Sequence, residues 1–120
     1  TKTPLFSVEE RIRQIELIFK GNKQVRTIVF TGLVVDLAKQ EGVNVLIRGL
    51  RAVSDFEYEF QLANMNRAMS PDLESIFLIP KAKFSFLSST LVREIASMGG
   101  KLSAFVDPIV EKALRKRFQD

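Results

Sequence analysis

Two short runs hold the residue types with the most chemical reach. Arg48-Gly49-Leu50-Arg51 sets two guanidinium groups around a glycine, directly behind the apolar run Val45-Leu46-Ile47. A planar fork of donors suits a phosphate better than an ammonium does, and glycine lets a backbone come close to a ligand. Ser88-Ser89-Thr90 is the second run. It places three hydroxyls at the start of a helical pattern, where unpaired amides and the helix dipole favour an anion. Each run has an ordinary alternative, a surface salt bridge for the arginines and a plain helix cap for Ser88. Lys2 stands on a loop ahead of Pro4. Glu57 and Glu59 follow the arginines on a helix, where they could pair with them or accept from a ribose hydroxyl. Phe56 and Tyr58 could stack on a base, although aromatics at helical spacing more often belong to a core.

What the chain lacks narrows the chemistry. Its 120 residues include no histidine and no cysteine. The commonest general base and metal ligand are therefore absent, and so is thiolate chemistry. No cluster of carboxylates has metal-ligand spacing. Acyl transfer through a Ser–His pair or a cysteine is excluded. Nucleotidyl transfer is not, because it depends on positioning and on stabilising developing charge.

The formal net charge of +4 permits anionic ligands. Arg115-Lys116-Arg117 falls in the last turn of a helix, where cations favour the negative end. RNA binding would ask for exposed aromatics between basic residues and for an extended basic stripe, and neither is present. No apolar run is long enough to cross a bilayer and nothing resembles a signal peptide. With the missing cysteines, this reads as a cytoplasmic chain binding neither nucleic acid nor membrane. The length is that of one domain, residues 1–120.

Hydrophobic period supplies the elements that must position these residues. Ser7 and Glu10 form a capping box, and Val8, Ile12, Ile15 and Phe19 then share a helical face. Val25 to Phe30 reads as a strand of β-branched and aromatic residues. Leu33 to Gln40 is a short helix stopped by Gly42. Val45 to Ile47 is a buried strand, Asp55 to Met69 a helix, and Ser75 to Ile79 an apolar strand ended by Pro80. A loop from Lys81 to Leu87 leads to a helix over Ser88–Met98, closed by Gly99-Gly100. Asp107-Pro108 opens the last helix with proline at its first position. Such alternation predicts an α/β fold, a Rossmann-like open parallel sheet flanked by helices. Beginning on a helix, without methionine, leads us to expect a βα unit missing in front.

Three stretches together closely resemble bacterial phosphopantetheine adenylyltransferases, of the nucleotidylyltransferase superfamily. They are Lys2 to Arg11, Leu46 to Arg67 and Phe84 to Arg93, and the resemblance extends over nearly the whole chain. It implies transfer of the adenylyl group of ATP to 4′-phosphopantetheine, giving dephospho-coenzyme A and pyrophosphate. By matching position, Lys2 and Arg48 correspond to residues gripping the pantetheine phosphate. Val34, Leu62, Met65 and Asn66 correspond to the wall of the pantetheine arm. Gly49, Leu50, Arg51 and Glu59 match ATP-contacting positions, as do Phe84, Ser85, Phe86, Leu87, Ser88, Ser89 and Thr90. Lys2, Arg48, Arg51 and Ser89 are the residues it assigns to catalysis.

The resemblance further implies Mg²⁺ held mainly through ATP phosphates, a homohexamer, and coenzyme A as product-like inhibitor. The family also carries a threonine-x-glycine-histidine motif ahead of Lys2. The expectation is thus a domain incomplete at its N-terminus that turns over negligibly as it stands. The alternatives are a different adenylyltransferase and a non-catalytic nucleotide-binding or assembly module.

Overall fold

The computed structural model describes residues 3–119, which fall into two compact units. A central unit runs from Phe30 to Ser88; a terminal unit combines the chain up to Val29 with the chain from Ser89 onward.

The central unit is built on a strand–helix–strand motif. Helix α2 (Val34–Glu41) ends at Gly42, whose φ of 69° is left-handed, with the Val43 amide donating to the Ala38 carbonyl at 2.9 Å. Only glycine reaches that conformation cheaply, so the helix stops there. Strand β1 (Val45–Gly49), helix α3 (Val53–Met69) and strand β2 (Glu74–Leu78) follow. The strands pair in parallel, with Val45 opposite Glu74, Ile47 opposite Ile76 and Gly49 opposite Leu78. A parallel pair needs a crossover of helix length, which α3 supplies. Val35, Ala38 and Leu73 form the core of this unit, with Leu46 packed against them.

Alternation along the strands puts Leu46, Arg48, Ser75 and Phe77 on one face and Val45, Ile47, Ile76 and Leu78 on the other. The second set is exposed, Ile47 by 66% and Leu78 by 57%. The expectation of a buried first strand is therefore corrected: only one face of β1 is covered. A run of apolar residues says that a strand can be buried, not that both its faces are.

The terminal unit holds helices α1 (Val8–Ile18), α4 (Ser89–Ser97) and α5 (Pro108–Phe118). The capping box at the start of α1 is present: the Ser7 hydroxyl accepts from the Glu10 amide at 3.1 Å, and the Glu10 carboxylate accepts from the Ser7 amide at 2.9 Å. Gly99 and Gly100 close α4 as the sequence leads one to expect. Gly99 has φ 75°, and the Gly100 amide donates to the Ile95 carbonyl at 2.9 Å. Asp107 caps α5 by accepting from the Ile109 amide at 2.9 Å, with Pro108 in the first turn. Arg117 joins α5 to the loop before α1, donating to the Leu5 carbonyl at 2.8 Å and to Glu10 at 2.5 Å. Leu102 and Leu114 are the buried apolar residues here. Residues α1 was expected to bury are partly exposed, Val8 by 42% and Phe19 by 44%.

A second correction concerns Val25 to Phe30, which forms no strand. A strand is defined by its neighbour, and among the described residues this extended stretch pairs with none. Its β-branched composition fits a pleated, half-buried surface but does not create one.

Candidate functional site

Strand β1 and helix α3 set the two arginines where the sequence places them, at the carboxyl end of the strand. The turn between them carries both, and α3 answers with carboxylates at Asp55 and Glu59, four residues apart on one side of the helix. Arg48 donates through Nε to both oxygens of Glu59, at 3.2 and 3.0 Å, and through Nη2 to Oε1 at 2.6 Å. Glu59 is buried, 8% exposed, whereas the Arg48 side chain is about half in solvent. The Glu59 bonds raise the Arg48 pKa above its ordinary value, so the guanidinium stays charged throughout the physiological range.

Arg51 is held just as firmly, by different groups. Its Nε and its backbone amide both donate to Asp55 Oδ2, at 3.1 and 3.2 Å, and its Nη1 donates to the Leu87 carbonyl. The Arg51 side chain and then its amide hold the Asp55 carboxyl below the usual carboxylate range. Asp55 escaped the sequence reading, although its spacing from both Arg51 and Glu59 was the available signal. Gly49 has open space where a Cβ would lie, so its own chain does not demand a glycine there.

Beside this turn lies a cleft of about 570 Å³. Leu46, Leu62, Ala63, Met65, Met69 and Phe77 supply most of its apolar wall, with Gly32, Leu33 and Val34 at one side. Arg48, Glu59 and Asn66 supply its polar groups, and Asn66 is buried. Five residues singled out in the sequence for a pantetheine arm and its phosphate, Val34, Arg48, Leu62, Met65 and Asn66, therefore line one cavity. Lys2 lies outside the described residues.

The expected ATP loop divides between the two units. Phe84 to Ser88 ends the central unit, as a 3-10 turn (Ala82–Phe84) and the residues behind it. The Ser85 hydroxyl is used inside this turn, donating to the Ala82 carbonyl at 2.8 Å, and Lys83 lies 4.9 Å over the Phe84 ring. Phe86 is exposed. Ser89 and Thr90 open α4 in the terminal unit, one residue later than the helix start expected at Ser88. There Ser89 borders a second cavity, of about 420 Å³, with Arg11, Arg93 and the apolar Leu5, Phe6 and Val92. Neither arginine was picked out from the sequence. Phe56 and Tyr58 are exposed rather than in a core, and Phe56 stacks on Phe60 with ring centres 5.7 Å apart.

Among the described residues no group of three or more Asp, Glu, His or Cys could hold a metal ion. The carboxylates of Asp55 and Glu59 at the arginine turn are both engaged by guanidinium groups. This donor set does not fit a protein-held divalent cation. No described helix is long and apolar enough to cross a membrane.

Comparison with known families adds one finding: the family described as Cytidylyltransferase-like matches residues 1–95. That span takes in the arginine turn, the cleft and most of α4. The small parallel sheet flanked by helices is consistent with the Rossmann-like fold of this family. The chain belongs to the cytidylyltransferase-like family, whose chemistry is nucleotidyl transfer.

Proposed function

We propose that this cytidylyltransferase-like chain uses ATP as donor and 4′-phosphopantetheine as acceptor. One observation carries the choice of acceptor. The cleft joins a long apolar wall and a buried amide, Asn66, to a guanidinium at Arg48. A slender ligand with an apolar and amide-bearing arm that ends in a phosphate matches that order of surfaces. Arg48 offers its remaining donors to the phosphate, while Glu59 keeps the fork from turning away.

In the reaction, an oxygen of the acceptor phosphate attacks the α-phosphorus of ATP. A new phosphoanhydride bond forms and the bond to the leaving pyrophosphate breaks. Arg48 orients the nucleophile. Arg51, the Phe84–Ser88 loop, and Ser89 and Thr90 at the start of α4 take the nucleotide phosphates. Charge spread over the transferring group is stabilised by fixed cations and amides, with no protein nucleophile. Magnesium enters as a counter-ion carried by the triphosphate, and dephospho-coenzyme A and coenzyme A occupy the same cleft as product and inhibitor.

Calorimetric titration with 4′-phosphopantetheine tests this reading, with pyrophosphate release in the presence of ATP as the second readout. Arg48→Ala is expected to weaken binding of the acceptor by about 2 kcal/mol or more, since one partner of a charged contact is removed. Arg51→Ala is expected to leave acceptor binding in place and weaken ATP instead. Acceptor binding that survives Arg48→Ala unchanged would overturn the assignment.

A further inference from the structure

The two carboxylates of α3 have different tasks, and that of Asp55 is not ligand binding. We propose that Asp55 is a positioning residue: it fixes the Arg51 guanidinium as a strut between the arginine turn and the Leu87 carbonyl. The strut sets where the loop ahead of Ser88 ends, and so where its amides point. This rests on the nucleotide reading above only for the identity of the anion, not for the strut itself.

Geometry carries the argument. Asp55 Oδ2 receives both the Arg51 amide and Nε, at 3.2 and 3.1 Å, so the side chain is gripped at its root and at its head. The opposite corner of the same guanidinium, Nη1, donates to the Leu87 carbonyl. A guanidinium has more donors than these two acceptors use, and the Nη2 edge makes no bond among the described residues. Arg51 can hold the loop and receive an anionic oxygen at once. Lysine could not do both, because a point charge on a flexible stem has no second corner at a fixed angle. The loop has little else to hold it. Its own bonds are short-range, from Phe84 to Lys81, from Ser85 to Ala82 and from Leu87 to Phe84.

A plain structural role competes with this one. Asp55 sits in the first turn of α3, whose N-cap Ala52 has no side chain to offer, and its bond to the Arg51 amide resembles a cap. Asp55→Asn separates the two roles. Asparagine keeps an oxygen for the Arg51 amide but loses the charge that holds the guanidinium.

Amide hydrogen exchange over residues 81–88 is the measurement, on ligand-free wild type, Asp55→Asn, Arg51→Lys and the double variant. The strut predicts that each single change speeds exchange in this loop by roughly tenfold. The double variant should be no faster than either, with β1 and β2 unchanged. Faster exchange confined to the first turn of α3, or additive effects, would overturn the proposal in favour of a helix cap. Titration with ATP is the second arm: Asp55→Asn should weaken it about tenfold while binding of 4′-phosphopantetheine is kept. If wild type binds no ATP, the nucleotide reading fails, and loop exchange alone still decides the strut. If ATP weakens while loop exchange is unaltered, Asp55 acts on the ligand directly and the strut is wrong.

Discussion

Arg48 and Glu59 make a pair whose two sides differ in exposure, and that asymmetry decides what each mutation does. Glu59 is nearly out of water while Arg48 keeps about half its side chain in it. Losing the glutamate therefore leaves a cation that can rehydrate, so the cost falls below that of a fully buried pair. We expect Glu59→Ala to lower stability by about 1–2 kcal/mol, and Glu59→Gln by about half as much because it keeps shape and one acceptor. Urea denaturation measures both. Acceptor binding should weaken in each variant, since Arg48 is no longer held to one geometry; unchanged binding would show that the pair only stabilises. The arginines were legible because a strand end followed by a guanidinium, a glycine and a second guanidinium is already a chemical statement. Asp55 was not, because a carboxylate near a helix start reads equally as a favourable charge on the dipole. Only the position of Leu87, thirty-six residues on from Arg51, shows what it holds.

At the scale of elements, local signals were read well and pairing was not. Capping boxes, Pro at a first turn and left-handed glycines act within a few residues, so Ser7-x-x-Glu10, Pro108, Gly42 and Gly99 mark real boundaries. Val25 to Phe30 needed a partner strand, and no property of its own residues supplies one. The box at α1 yields a prediction. Ser7→Ala should cost about 1 kcal/mol. Glu10 adds a pH dependence. Its carboxyl lies below its ordinary range, first through the Ser7 amide and then through Arg117. A depressed folded-state pKa contributes stability above the unfolded value, about 4.3, and loses it as pH falls through the folded value. The melting temperature should be level from pH 8 to about 5 and decline below about 4, and Glu10→Gln should flatten that acid limb. A decline that begins near neutrality would show that another group governs it.

Across the whole molecule, apolar surface is the quantity left unbalanced. Val35, Ala38, Leu73, Leu102 and Leu114 are the buried apolar residues, and Val45, Ile47, Ile76 and Leu78 line an open face of the sheet. The sequence could not reveal this, since an apolar strand looks the same whether one face is covered or both. Ile47 and Ile76 stand directly opposite each other in register, 66% and 46% exposed. Contiguous apolar patches of this kind are uncommon on isolated soluble chains and drive association. The protein as given should therefore sediment above the mass of one chain as its concentration rises, the more so with added sulfate, which strengthens apolar burial. Replacing both Ile47 and Ile76 by lysine should hold it near one chain. Secondary structure should survive, because neither residue belongs to the Val35, Ala38 and Leu73 core. Far-ultraviolet dichroism separates the outcomes. Lysines that suppress association and keep the helical signal confirm an open face. Lysines that melt the signal mean the face is packed in solution, because a charge without a partner cannot be buried at small cost.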